Sequence, residues 1–446
     1  MLYSLVRPLA AVALKVFFKK IYLSNIDRIP QGKPVLLAAN HPSAFLEPCI
    51  LACFLDRPIY FLVRGDIFVK PFYIKILRAL NMVPVYRLKD GGYQNLKNNF
   101  ATFQYCYAAL NEKKSIMILA EGRTIHEKRL RPLQKGTARI VFGAYDSFPD
   151  MEEVLVIPVG VNYTFADRPR SEAMIDFGEP IQSRKYWKTG ESNATQAITD
   201  LTEELRRRLE KNVIIIDRHE DEALTEHLFE LYRSENPDDT WPVISHNSER
   251  LFAEKSIADF VNHLKGEKRE LLNSQVKQYF HRLKKLGVSD AAIAEKQTPV
   301  WRLPLLVAGF LPFLAGYLWN YPPVRLARYV ADTRVKGIEF YSSVMIAVNL
   351  VLYVIYILLW GVIAGRAYGL AGIAGVGGML ALGYFALIYK EVYHDWTESW
   401  KAGKLSGVDK KELQKMREII WQDVASHLPD VSKNATLASS SSIRTI

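Results

Sequence analysis

Between residues 34 and 180, short apolar runs alternate with stretches whose apolar positions recur at helical spacing. The runs Val35–Ala39, Ile59–Val63, Met82–Tyr86, Ser115–Leu119, Val154–Tyr163 and Ala173–Phe177 read as strands. The stretches 43–55, 70–80, 92–111, 133–146 and 182–211 read as helices. Alternation of this kind predicts an α/β domain over 26–180, with a mixed, largely buried sheet flanked by helices.

The pattern changes at both ends of that domain. Residues 1–25 carry apolar positions from Pro8 to Phe18 broken by Lys15, too short and too charged to span a bilayer. They read as an amphipathic helix lying on a membrane surface, or as an ordinary helix packed on the domain. Over 181–300 strand signals nearly vanish and charged helical patterns take over, predicting a helical extension. Residues 301–389 form a membrane region. The segment 303–319 is apolar but carries Pro304 and Pro312, whereas 341–364 and 368–389 each run more than 20 residues without a charge. Two helices of that length, joined by Gly365-Arg366-Ala367, predict a spanning C-terminal hairpin. Arg325, Arg328, Arg334 and Lys336 place the segment before the hairpin on the cytoplasmic side. The charged tail 390–446 belongs there too, and its Ser-rich end reads as disordered. Both assignments hold if 303–319 enters the bilayer and returns.

The chain has 446 residues and a formal charge of +11. From Arg64 to Arg139 there are fifteen Lys/Arg against five Asp/Glu, so the excess is concentrated inside the α/β domain. A local surplus suits an anionic substrate or anionic lipid. No zinc-finger spacing, RNP-like motif or basic heptad supports nucleic acid. Cys49, Cys53 and Cys106 have neither disulfide nor metal spacing and read as small core residues. No metal or cofactor is expected. With no organelle signal read, the simplest location is a bacterial inner membrane with the catalytic domain cytoplasmic; an endoplasmic reticulum membrane is the alternative.

Candidate chemistry centres on Asn40-His41-Pro42-Ser43-Ala44-Phe45-Leu46-Glu47-Pro48, directly after the strand Val35–Ala39. An imidazole titrates near neutrality, and a nearby carboxylate can fix its tautomer and stabilise its protonated form. A base of this kind takes a proton from an alcohol. No G-x-S-x-G elbow is present, so an acyl-serine intermediate has no support, and Ser43 reads as a helix-starting residue.

Three further blocks follow in order: Val83-Pro84-Val85-Tyr86-Arg87, Ala120-Glu121-Gly122-Arg123-Thr124 and Val156-Ile157-Pro158-Val159-Gly160-Val161. Together with the His41 block they resemble the glycerolipid acyltransferase family, over residues 30–180. The resemblance implies a catalytic base at His41 with Glu47 as its orienting acid. It implies acceptor contacts at Arg87, Glu121, Gly122, Arg123 and Thr124, and a role near the acyl chain for Pro158. The commonest family spacing is His-x4-Asp, with a His-x5-Asp form in some glycerol-3-phosphate acyltransferases. This chain has His-x5-Glu, which keeps the charge and adds a methylene. Lys135 and Gly136 open a helix whose N-terminal N–H groups favour a phosphate. The expected reaction moves an acyl group from acyl-CoA or acyl carrier protein to the hydroxyl of lysophosphatidate, a glycerolipid phosphate acceptor. The alternatives are glycerol 3-phosphate, another lysolipid, or a non-catalytic lipid-binding membrane protein.

Overall fold

The computed structural model describes residues 2–86, 98–187, 191–295 and 301–428. The chain forms two compact units: one from residues 1–213, 240–248 and 330–350, the other from 214–239, 249–329 and 351 onward.

The first unit is built on a mixed sheet of nine strands: β1 (Lys20–Ser24), β2 (Val35–Ala39), β3 (Ile59–Arg64), β4 (Met82–Val85), β5 (Ser115–Leu119), β6 (Leu155–Tyr163), β7 (Glu172–Phe177), β8 (Ile181–Gln182) and β9 (Ile244–Ser245). The order is β4-β3-β5-β2-β6-β7-β1-β9, with β8 paired to β6. Six pairings are parallel; β6 meets β7 and β8 antiparallel. Its helices are α1 (Leu2–Phe17), α2 (Leu46–Phe54), α3 (Pro71–Ala79), α4 (Asn98–Asn111), α5 (Gly136–Ser147) and α6 (Glu191–Asn212). All five residues of β2 are buried, which is why the strand reads Val-Leu-Leu-Ala-Ala without a polar position.

Register decides where the site lies. Ala39 pairs with Leu119 of β5 and with Val159 of β6, so the loops leaving β2 and β5 start level with each other. Pro158 is buried inside β6, opposite Ala38. A proline lacks the N–H that a central strand needs. Its carbonyl accepts from Gly178 N–H (2.8 Å), so its missing donor faces the β7–β8 side. There β8 covers residues 155–156 and β7 begins at 159, so position 158 falls in the gap between them.

Three expectations change in this unit. The stretch 1–25 contains a strand as well as a helix: Ile21-Tyr22-Leu23 lies between two strands of the sheet, and a run of three apolar residues gave too little signal. The extension over 181–300 contributes β8, β9 and α6, and α6 packs on β6. Ser43 does not start α2; the residue before the helix is Phe45, in the left-handed region at φ 68°. The helix α1 buries Leu14 and Phe17 and packs on α2, where Tyr3 Oη donates to Ala52 C=O (3.1 Å) and Arg7 Nη2 to Leu55 C=O (2.7 Å). Leu5, Leu9 and Val12 remain exposed.

Residues 330–350 also belong to this unit. Ala331 and Met345 are buried in the same core as Leu46, Ile50 and Leu51 of α2. The Ala44 N–H donates to the Glu339 carbonyl (3.0 Å), and Ser343 Oγ donates to the Ala44 carbonyl.

The second unit is helical: α7 (Glu222–Glu235), α8 (Glu249–His263), α9 (Gly266–Leu286), α10 (Asp290–Ala294), most of the long apolar helices α11 (Arg302–Arg334), α12 (Ile338–Tyr368) and α13 (Leu370–Gly403), and α14 (Gly407–Ala425). Buried Asp290 accepts from Tyr279 Oη (2.6 Å) and Arg417 Nε (2.9 Å), tying α9, α10 and α14 together. Three helices, α11, α12 and α13, are long and apolar enough to cross a membrane. The segment 303–319 makes no break at Pro312; it is the first half of the uninterrupted α11. The hairpin turns at Gly369 (φ 61°), later than the expected Gly365–Ala367, and α13 runs on to Gly403. Asn320 joins the three helices: its Nδ2 donates to the Gly316 (2.7 Å) and Met379 (3.1 Å) carbonyls, and its Oδ1 accepts from Tyr353 Oη (3.0 Å). Glycine at 316 is required by this approach, because a Cβ there would lie 2.1 Å from the Leu382 carbonyl oxygen.

Asp176 of β7 generates a pH prediction. It is buried, and its carboxyl is pushed up from 3.8 to about 6 by that burial, against the Asn25 hydrogen bond (2.6 Å) and the Arg28 charge. The folded state therefore holds this proton more tightly than the unfolded chain, so its contribution is greatest below 3.8 and is lost as pH rises to about 6. Thermal unfolding in detergent across that window should show the decline in the parent, and Asp176→Asn should flatten it.

Candidate active site

The site assembles where β2 and β5 end, the usual place for chemistry on a parallel sheet. Asn40 pins the first loop by a reciprocal pair: its Nδ2 donates to the Val161 carbonyl (2.9 Å) and its Oδ1 accepts from Val161 N–H (2.7 Å). His41 follows, and its backbone N–H donates to Glu121 Oε2 (2.8 Å). The other Glu121 oxygen accepts from Arg131 N–H (2.8 Å). Glu121 is buried, and burial raises its pKa while these two backbone donors oppose the rise. Its carboxylate is thus a brace between the His41 loop and the loop leading to α5, with both oxygens in use.

The imidazole faces a hydroxyl. Thr124 Oγ1 lies 2.5 Å from His41 Nε2. With Thr124 donating, Nε2 carries the lone pair and Nδ1 the proton, which is the tautomer a base needs. On the far side, Glu47 Oε1 is 3.8 Å from Nδ1. That exceeds hydrogen-bond length, so the carboxylate acts on the ring as a nearby charge. Oε1 is occupied by the Ser43 N–H (2.8 Å), four residues back along the same loop. Glu47 is fully buried, and Tyr163 beside it has its phenol raised well above its ordinary value, by burial first and by the Glu47 charge second. The His41 side chain keeps 13% of its surface exposed, so its ring is reachable.

Gly122 sits at φ 68°, a left-handed position where a Cβ would also meet the Gln134 side chain at 2.8 Å. Arg123 is exposed beside it. Lys135 precedes α5, which opens at Gly136, and its Nζ donates to Thr199 Oγ1 of α6 (3.2 Å). Lys128 donates to the Thr164 carbonyl (3.3 Å), and Arg131 pairs with Glu127 (2.8 Å). Pro158 stays within the sheet. Arg87 lies outside the described residues.

Two contributors escape a reading of the motif alone. Asn40 stands next to His41, but its partner is 121 positions away. Arg206, in a stretch read as extension, donates to the Arg131 carbonyl (3.0 Å) and so supports the loop that Glu121 braces. Helical periodicity places Arg206 on a polar face and carries no further signal. Burial pushes the thiols of Cys53 and Cys106 up to about 11 and about 12, which leaves both unreactive near neutrality.

Residues 20–162 match the family described as Acyltransferase. Two proteins of Saccharomyces cerevisiae are similar to this chain: glycerol-3-phosphate O-acyltransferase 2, 29% identical over 113 residues, and glycerol-3-phosphate O-acyltransferase 1, 27% identical over 130 residues. These matches take in 25% and 28% of this chain but only 15% and 17% of the yeast proteins, well under two thirds of their length. The crystal structure of the 1-acyl-sn-glycerophosphate (LPA) acyltransferase PlsC from Thermotoga maritima aligns with 46% of this chain and 80% of its own, at 15% identity and a TM-score of 0.33.

The Glu121 brace yields a test. Glu121→Gln keeps the shape but turns one acceptor into an amide, setting an N–H₂ against a backbone donor. A buried group left unsatisfied costs about 1–3 kcal/mol. Unfolding in detergent should register a loss of that size. An unchanged stability would show that the two backbone contacts are dispensable.

Proposed function

We propose that this chain, whose residues 20–162 match the Acyltransferase family, is a glycerolipid acyltransferase that moves a fatty acyl group from a thioester donor to the free hydroxyl of a phosphate-bearing glycerol acceptor. The observation that carries the reading is the alcohol already seated on His41 Nε2. An acceptor hydroxyl replacing Thr124 there meets a nitrogen lone pair at hydrogen-bond distance.

In this mechanism Nε2 takes the hydroxyl proton while the oxygen attacks the thioester carbonyl carbon. The C–S bond breaks, an ester C–O bond forms, and the imidazolium returns its proton to the departing thiolate of CoA or acyl carrier protein. Glu47 stabilises the imidazolium through its charge at 3.8 Å. Arg123, Lys135 and the N-terminus of α5 supply donors for the acceptor phosphate, with Arg87 as a further expected contact.

Between the two acceptors expected from the sequence, the His-x5-Glu spacing and the two yeast relatives favour glycerol 3-phosphate. The lysophosphatidate reading draws on the apolar helices, which would hold the site near a lipid acceptor. We place the catalytic unit on the cytoplasmic face, following Arg325, Arg328, Arg334 and Lys336. Residues up to 213 and residues 330–350 share one unit and so one side of the bilayer. The chain between them must cross an even number of times, and among the described residues α11 is the one helix there able to cross. In this reading α11 packs against α12 and α13 without crossing, while α12 and α13 span. The exposed Leu5, Leu9 and Val12 of α1 rest on the interface.

Purified protein given labelled acyl-CoA or acyl carrier protein, with glycerol 3-phosphate and lysophosphatidate in parallel, should acylate one of the two. Transfer to neither sinks the reading. His41→Ala should lower turnover by about 10²–10⁴, measured under saturating donor. Glu47→Gln should cost more than Glu47→Asp, which keeps the charge; equal losses would remove the charge role.

A further inference from the structure

The first two turns of α12 touch the loop between His41 and Glu47. Both peptide groups of Ala44 end on it: the N–H on the Glu339 carbonyl (3.0 Å) and the C=O on Ser343 Oγ. Ala44 itself is 2% exposed. The next residue, Phe45, holds φ 68° and ψ −13°, a left-handed backbone that a bulky side chain rarely adopts. Such a conformation persists where its surroundings over-determine it. On one side of Phe45 stands α2; on the other is the doubly bonded Ala44. The contact is anchored beyond these two bonds. Ala331 and Met345 are buried with the α2 residues Leu46, Ile50 and Leu51, and Val335, Tyr341 and Ile346 pack against the same core. Within α12, Ser343 and Glu339 are four positions apart, so they share one face of the helix.

We propose that Ser343 and the Glu339 carbonyl are positioning groups for the catalytic loop. They hold Ala44, which fixes the left-handed turn at Phe45 and thereby the distance between the His41 ring and the Glu47 carboxylate. The helix that supplies them is long and apolar enough to cross a membrane. The base is therefore set by an element whose seat is the bilayer, and catalysis depends on that element being in place. This rests on the acyl-transfer reading for its kinetic arm only.

The test uses the full chain in lipid nanodiscs. A small displacement of a catalytic group costs up to about a hundredfold in rate. Ser343→Ala should lower kcat by roughly ten- to a hundredfold, leave the acceptor KM unchanged, and regain activity as Ser343→Thr, which restores the hydroxyl. Hydrogen exchange gives an arm independent of activity: a peptide covering residues 40–46 should exchange faster in Ser343→Ala while peptides from β2 and β5 stay protected. Unchanged exchange at 40–46 together with the parent kcat overturns the proposal. A kcat loss that Ser343→Thr does not recover, with exchange raised throughout the unit, overturns it in favour of plain destabilisation. If the parent transfers no acyl group, the functional reading falls and the exchange arm alone decides the clamp. Should Ser343→Ala fail to fold, Ser343→Cys, similar in size with a weaker donor, is read by the same two measures.

Discussion

The buried carboxylate of Glu121 is the constraint on which the site depends. One oxygen holds the backbone N–H of His41 and the other that of Arg131, 80 and 10 positions away in sequence. A carboxylate removed from water needs donors for its lone pairs, and here all the donors named come from the main chain. The consequence is geometric. The position of the imidazole is tied to the end of β5, and β5 is tied to β2 by five residues of parallel register. A shift of either strand would move His41 and Thr124 apart, because each leaves the end of its own strand.

Much of this could be read from the sequence. The strands β2 and β5 were expected with the bounds they have, since a buried parallel strand is a short unbroken apolar run between turn residues. The meeting of His41 with Thr124 was not expected, since Thr124 was read as an acceptor contact, and Gly122 occupies a left-handed position that glycine adopts without strain. The role of Glu121 was less legible. A family pattern says that a carboxylate stands there, whereas its partners are backbone N–H groups that leave no trace in residue type. The brief β1 was hidden because three apolar residues between lysine and serine resemble the end of a helix. Hardest of all was the contact of Ala44 with Ser343, 299 positions apart, made by two residues of unremarkable kind.

The long apolar helices show how local and global signals divide. Length and lack of charge located α12 and the start of α13 to within a few residues, but not the end of α13 at Gly403, and proline was a poor guide to where α11 ends. A proline removes one hydrogen bond and bends a helix, yet neighbouring helices can make up the loss. Tyr356 of α12 does so in kind, its Oη donating to the Trp319 carbonyl (2.9 Å), the acceptor that Pro323 leaves without a helical donor. Polar contacts of that sort hold helices together where apolar packing alone gives little preference for one partner over another.

The hydroxyl of Thr124 on His41 Nε2 has a thermodynamic corollary. Any alcohol that approaches the ring displaces another alcohol, so the exchange breaks one hydrogen bond and makes one of the same kind. Its net enthalpy is close to nil, and the ring contributes almost nothing to affinity. Discrimination among alcohols must then arise from whatever else the molecule carries into the pocket.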